Sequence, residues 1–136
     1  MTSAWRSVCA ATWLALGAAG CEVHTHSDWY SEYEGTLSIE WSLDDSFDPD
    51  ACDDYHAHEI ELIVYDDRDH EVAHTTPYCD EFEVSIDLPD GVYGLDATLL
   101  DRGGHAVTTT LALHDIDVYE DHTTPISIDF PLDSLR

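Results

Sequence analysis

The strongest constraint in this sequence is an alternation of apolar and polar residues with a period of two, repeated in segment after segment. Leu37, Ile39, Trp41 and Leu43 alternate with Thr36, Ser38, Glu40 and Ser42. Ile60, Leu62 and Val64 alternate with Glu59, Glu61 and Ile63. The same rhythm runs through Phe82, Val84, Ile86 and Leu88, then Tyr93, Leu95, Ala97 and Leu99, then Val107, Thr109, Leu111 and Leu113, and finally Ile126, Ile128 and Phe130. Successive side chains of a strand point to opposite faces, so each segment reads as a strand with one buried face. Val72 with its neighbours and Ile116 to Tyr119 read as two shorter strands. After Cys21 no segment carries a helical period. The expectation is an all-β chain of about seven or eight antiparallel strands, packed as a β-sandwich.

The turns fit that reading. Leu88-Pro89-Asp90-Gly91 has proline and glycine where a type I turn prefers them. Asp66-Asp67-Arg68-Asp69 and Asp101-Arg102-Gly103-Gly104 supply residues that bond to their own backbone or tolerate positive φ. Asp66 to Val72 aligns with Asp101 to Val107, His70 falling on His105, as a duplicated hairpin or, more simply, shared turn chemistry would give.

The charge bounds the partners. The chain of 136 residues has 30 acidic side chains against four arginines and no lysine, a formal charge of −26. Nucleic-acid binding needs a basic face and is excluded on this ground. With 43% hydrophobic residues in a clear pattern the chain is not a disordered acidic tail. An acid excess of this kind keeps a surface soluble in salt and repels anions without any ligand.

The first twenty residues contain no acid at all. Met1 to Arg6 is a short positive start, and the apolar block Val8 to Gly20 is shorter than the roughly 20 residues a spanning helix needs. This is the pattern of a secretory signal. Its end, Leu16-Gly17-Ala18-Ala19-Gly20-Cys21, resembles the lipobox of bacterial lipoproteins, with Ala18 departing from the leucine favoured three positions before the cysteine. The resemblance implies cleavage before Cys21, a diacylglycerol thioether on that cysteine, and an acylated amine such as palmitate. It divides the chain into a signal peptide over 1–20, an acylated tether over 21–34 and a β-sandwich domain over 35–136. The lipid would hold the protein at a membrane of the cell envelope, outside the cytoplasm, on the periplasmic side or at the cell surface.

Cys9 belongs to the leader and Cys21 to the lipid, which leaves Cys52 and Cys79. In an exported chain that pair is expected as a disulfide. A loop of its length stabilises by about 3–4 kcal/mol on the chain-entropy account.

The segment Ile86 to Tyr93, a strand ending in a Pro-Gly turn before a second strand that opens on tyrosine, resembles transthyretin-like and carboxypeptidase-regulatory-like domains. That resemblance implies an immunoglobulin-like or transthyretin-like sandwich and a non-catalytic module. Catalytic motifs are missing: there is no Gly-x-Ser-x-Gly elbow and no His-Glu-x-x-His. His56-Ala57-His58 leads into a strand, where residues two apart share a face, so both rings could reach one metal, with Asp53, Asp54 and Glu59 close enough in sequence to add oxygens. His24-Thr25-His26 repeats the spacing in the tether. Asp44, Asp45, Asp48 and Asp50 are dense enough for Ca²⁺, but Pro49 and the lack of a following glycine break the EF-hand pattern. The sequence thus gives a lipid-anchored interaction or structural module whose partner is an envelope protein or polysaccharide. Its alternative is an extracytoplasmic protein binding a divalent metal through its His and Asp/Glu clusters, Zn²⁺ or Cu²⁺ at His56, His58 and Asp54 or Ca²⁺ at the aspartates.

Overall fold

In a computed structural model of the chain, residues 34–136 are described. The leader, Cys21, His24, His26 and all but the last residue of the tether therefore lie outside the described residues. Within the described residues, seven strands, β1 (Glu34–Leu43), β2 (Glu59–Tyr65), β3 (Glu71–Thr75), β4 (Glu83–Pro89), β5 (Gly91–Leu100), β6 (Leu111–Val118) and β7 (Thr123–Phe130), are joined by one short helix, α1 (Pro49–Asp54), and two 3₁₀ turns, Cys79–Glu81 and Leu132–Ser134. They form two sheets, β4-β1-β7 and β3-β2-β5-β6. The chain is an all-β sandwich.

The alternation read from sequence decides which face each strand buries. Leu37, Ile39, Trp41 and Leu43 on β1 face Ile60, Leu62 and Val64 on β2 and Leu95, Ala97 and Leu99 on β5, all of them buried in one core cluster. The opposite face of β1 carries Thr36, Ser38, Glu40 and Ser42. Trp41 is completely buried, and its indole N–H donates to the Cys79 carbonyl at 2.8 Å. A buried tryptophan needs such a partner, because an unpaired N–H there costs about 1–3 kcal/mol. Cys79 is itself bonded to Cys52, with Cα atoms 6.1 Å apart. The bridge pins α1 to the 3₁₀ turn, and the Tyr55 hydroxyl at the end of α1 donates to the Phe130 carbonyl at 2.7 Å. Disulfide, indole and phenol together close one end of the sandwich.

Four features depart from the sequence expectation. First, β1 and β7 pair in parallel, from Thr36 with Thr123 to Leu43 with Phe130, whereas β1 and β4 are antiparallel. Pairing direction between the first and last strands is set by the whole path of the chain, not by any local pattern. Second, the type I turn expected over Leu88 to Gly91 is a corner between sheets: β4 and β5 belong to different sheets, and the corner is braced by the Tyr93 hydroxyl, which donates to the Pro89 carbonyl. Third, the run from Val107 to Leu113 and the piece from Ile116 to Tyr119 are one strand, β6, starting at Leu111. A bulge at His114 and Asp115, with Asp115 at φ 57°, shifts the register and so flips the parity of the buried residues. The stretch 101–110 is a loop, tied down by bridges from Ala106 to Leu100 and from Thr108 to Leu135. Fourth, the helix α1 has no counterpart in the periodicity. It spans only six residues, too few to show a period, and it is announced by its ends: the Asp48 side chain accepts from the Asp50 N–H, and proline opens the first turn. No helix among the described residues is long and apolar enough to cross a membrane.

Gly35 sits where β1 passes the turn between β6 and β7. A Cβ built there would lie 2.1 Å from the Tyr119 carbonyl oxygen and 2.8 Å from a Val118 methyl. Backbone cannot yield as a side-chain tip does, so Gly35→Ala forces the start of β1 off its ladder. The expected result is a loss of about 1–3 kcal/mol, the range of overpacking, read as a lower melting midpoint. An unchanged midpoint would show that the β6–β7 turn moves freely.

Candidate binding cleft

One recess lies on the outer face of the four-stranded sheet, at the end where β2 turns into β3. Tyr65, the last residue of β2, is register partner to Gly94 on β5. This pair has a bulge on each side. On β3 the register slips by one residue opposite Val64 and Tyr65, leaving Val72 unmatched. On β6 two residues, His114 and Asp115, face the single Gly94. Bulges bend strands away from the sheet plane and re-aim side chains. Here they open the sheet around a residue with no side chain. The result is a cleft of about 410 Å³ with Tyr65 and Gly94 at its floor, Asp115 and His114 on one wall, Asp66, Asp67 and Asp69 on the other, and Asp96 alongside. Partial desolvation, then the carboxylates of Asp96, Glu71 and Glu61, hold the Tyr65 phenol above its ordinary pKa. It remains a neutral hydrogen-bonding phenol throughout the physiological range.

The Asp66 wall is a rigid turn that the chain builds twice. The Asp66 N–H donates to the His70 carbonyl at 2.9 Å, and Asp66 Oδ1 accepts from the backbone N–H groups of Arg68 and His70 at 2.9 Å each. At Asp101 the N–H again donates to the His105 carbonyl at 2.9 Å, and Oδ1 accepts from Gly103 and His105 at the same length. The fourth residue of each turn is left-handed, Asp69 at φ 61° and Gly104 at φ 79°. The alignment of the two segments in sequence is thus one turn chemistry used at opposite ends of the sheet, since β2 and β5 run antiparallel. The chain continues differently from each, into β3 after the first turn and into a loop after the second. The backbone N–H of His70, then that of Arg68, lowers the Asp66 pKa; the N–H groups of His105 and Gly103 do so for Asp101.

The sequence candidates for metal divide between two recesses. His56 is not on a strand: it follows α1 at φ 57°, its N–H donating to the Asp53 carbonyl at 3.0 Å. His58 precedes β2, donates its N–H to the Leu100 carbonyl at 2.7 Å, and its ring meets Tyr78 edge-on at 5.4 Å between centroids. The two histidines do line one recess, with Asp53 and Arg102. Asp54 lines another, with Asp44, Asp48 and Asp50. Of that acidic set, Asp48 caps α1 and Asp44 and Asp45 hold left-handed turn positions. Among the described residues no group of three or more His, Cys, Asp or Glu side chains converges as a metal site would.

Electrostatically the surface is one-sided. Among the described residues every ion pair within 4.0 Å joins a histidine to a carboxylate: His70 with Asp66, His74 with Glu61 and Glu71, His105 with Asp101. Among the described residues no arginine stands within 4.0 Å of a carboxylate, so the arginines act on the acids only from a distance, as Arg68 does on Asp66.

Fold and cleft together define an all-β sandwich with an aromatic, acid-walled recess on one sheet. No protein-family model matches the chain, and no curated protein matches it. Among solved structures it is similar to the Bacillus anthracis TIE protein, at 18% identity and a TM-score of 0.47, over 73% of this chain and 17% of that one. It is also similar to a protein of Bacteroides thetaiotaomicron VPI-5482 to which polysaccharide binding is ascribed (DUF1812), at 15% identity and a TM-score of 0.42, over 68% of this chain and 46% of that one. The chain thus spans less than half the length of either protein.

Two measurements check this electrostatic picture. If repulsion among the acids opposes folding, the melting midpoint rises with ionic strength, and NaCl and choline chloride act alike at equal concentration. A midpoint that ignores salt would show the acids to be too far apart to matter. The second concerns acid. Asp66 and Asp101 have folded pKa values below the unfolded value of about 3.9. Their contribution to stability is therefore fully present above that value and is lost as pH falls through the folded values. In the double variant Asp66→Asn and Asp101→Asn this component is absent, so its melting midpoint falls less than that of the parent between pH 5 and pH 2. Parallel curves would contradict the assignment.

Proposed function

We propose that this chain is a lipid-anchored, non-catalytic β-sandwich of the bacterial cell envelope, an interaction module whose binding face is the Tyr65 cleft. The observation that carries the reading is the cleft itself: two bulges flank a tyrosine–glycine pair and open a recess in an otherwise regular sheet face. Bulges at one end of a sheet, on both sides of the same residue pair, are a means of shaping a site. The cleft's chemistry suits holding rather than reacting. Asp66 is kept ionised by backbone N–H groups, and a carboxylate with a lowered pKa is poorly matched to proton transfer at neutral pH. The buried Cys52–Cys79 bridge is compatible with an extracytoplasmic address, where disulfides persist.

The alternative, a divalent-metal protein working through His56, His58 and Asp54, is supported less. Asp53 lines the recess of the histidine pair and Asp54 a different one, His56 stands in a left-handed turn, and no three such side chains among the described residues converge. Stoichiometric zinc in untagged protein, lost on chelator treatment, would restore it.

The anchoring part of the proposal has a direct test. Mass spectrometry of the membrane fraction should find diacylglycerol and an acylated amine on Cys21. Because the chain has no lysine, the fully acylated mature protein would contain no primary amine. An amine-reactive probe should fail to label it and should label a Cys21→Ser variant. A soluble product with a free Cys21 thiol would overturn the anchor.

A further inference from the structure

We infer that the Tyr65 cleft receives a sugar ring, neutral or bearing an amine, stacked on the Tyr65 side chain over Gly94. The inference rests on the cleft being the binding face and names the chemistry it takes. Sugar rings offer a flat C–H face to an aromatic side chain and a rim of hydroxyls to hydrogen-bond acceptors. A site for them needs both elements within one small recess: an aromatic surface and a few placed polar groups. The cleft provides the pair. Tyr65 stands beside Gly94, its register partner, and the missing side chain leaves room for a ring next to the phenol. Asp96 shares the outer face of β5 with Gly94, and the β6 bulge brings Asp115 to the rim. An ionised carboxylate is acceptor-only, with two oxygens able to take neighbouring hydroxyls at once. The recess of about 410 Å³ is within the range of small-ligand sites.

Charge selects within the class. A surface of formal charge −26 repels uronic acids and sulfated glycans before they reach the cleft. An amine on the sugar gains instead, from the carboxylates and from the face of the tyrosine ring. A lysine-bearing peptide carries the same ammonium but lacks the rim of hydroxyls that the spaced carboxylates suit.

Glycine 94 makes the inference testable without disturbing the core. A Cβ there would meet only ordinary contacts, 3.4 Å from the Leu113 carbonyl oxygen and 3.8 Å from the His114 ring. Gly94→Thr therefore fills the floor of the cleft with a residue strands accept well. The full chain in detergent is titrated by calorimetry with glucosamine oligomers, with neutral glucose oligomers, with oligogalacturonate and with a lysine-rich peptide. Parent, Tyr65→Ala, Gly94→Thr and Tyr119→Ala are compared, the last removing an exposed tyrosine outside the cleft, and melting midpoints confirm folding. Glucosamine or glucose oligomers should bind the parent and Tyr119→Ala alike. Binding should weaken at least tenfold in both Tyr65→Ala and Gly94→Thr, and oligogalacturonate should not bind. If only the peptide binds, and does so through Tyr65, the ligand class is wrong while the cleft stands as the binding face. If sugars bind but neither cleft variant weakens them, both the inference and the choice of cleft fail. Absence of any sugar binding overturns the inference.

Discussion

Burial of one face of β1 is the interaction on which the rest of this structure depends. Leu37, Ile39 and Trp41 are fully shielded from water and Leu43 nearly so. Full burial of each such side chain is worth about 1.5–3 kcal/mol relative to exposure. β1 is the middle of its sheet, it receives β4 on one side and β7 on the other, and its inner face packs in one core with that of the four-stranded sheet. The Trp41 indole then fixes the 3₁₀ turn at Cys79, the disulfide fixes α1 to that turn, and Tyr55 fixes α1 to Phe130. One apolar stripe thus sets the position of the helix and the turn at that end.

The acidity, which looks like a property of the surface alone, is partly built into the backbone. Of the seven described non-glycine residues with positive φ, five are aspartates: Asp44, Asp45, Asp69, Asp115 and Asp121. Left-handed backbone is tolerated by asparagine, aspartate and glycine better than by other residues. This chain has no asparagine and only seven glycines, so aspartate fills such positions in the turns and at the β6 bulge. Replacing these acids to relieve repulsion would therefore disturb geometry as well as charge.

Local features were legible in the sequence and distant ones were not. The inward faces of β1, β2 and β5 could be read residue by residue, because alternation is a property of a single strand. The pairing of Cys52 with Cys79 could be read by elimination, on the expectation that the chain is exported and Cys21 carries lipid. The parallel union of β1 with β7 could not, nor could the crossing of the chain between sheets at Pro89 to Gly91, since a corner and a hairpin use the same residues. Asp115 hid β6 by reversing the parity of its buried positions. The cleft was invisible for a related reason. Tyr65, Gly94 and Asp115 meet only through the registers of three strands and two bulges. One signal was present: Gly94 interrupts an otherwise well-filled strand, and a glycine in a strand interior often marks a bulge or a close approach. The histidine pair has a spacing that suits a strand, whereas β2 begins only at Glu59.

The parallel pairing of β1 with β7 also has a mechanical meaning. In a parallel pair the start of one strand and the end of the other lie at opposite ends of the ladder. A pull between Glu34 and Phe130 therefore acts along the ladder and loads every bond from Thr36–Thr123 to Leu43–Phe130 together, in shear. An antiparallel pair held at the corresponding ends would instead unzip one bond at a time. Under load the sandwich resists through the whole β1–β7 ladder at once, and its lifetime under tension is set by the barrier to breaking that ladder rather than by equilibrium stability.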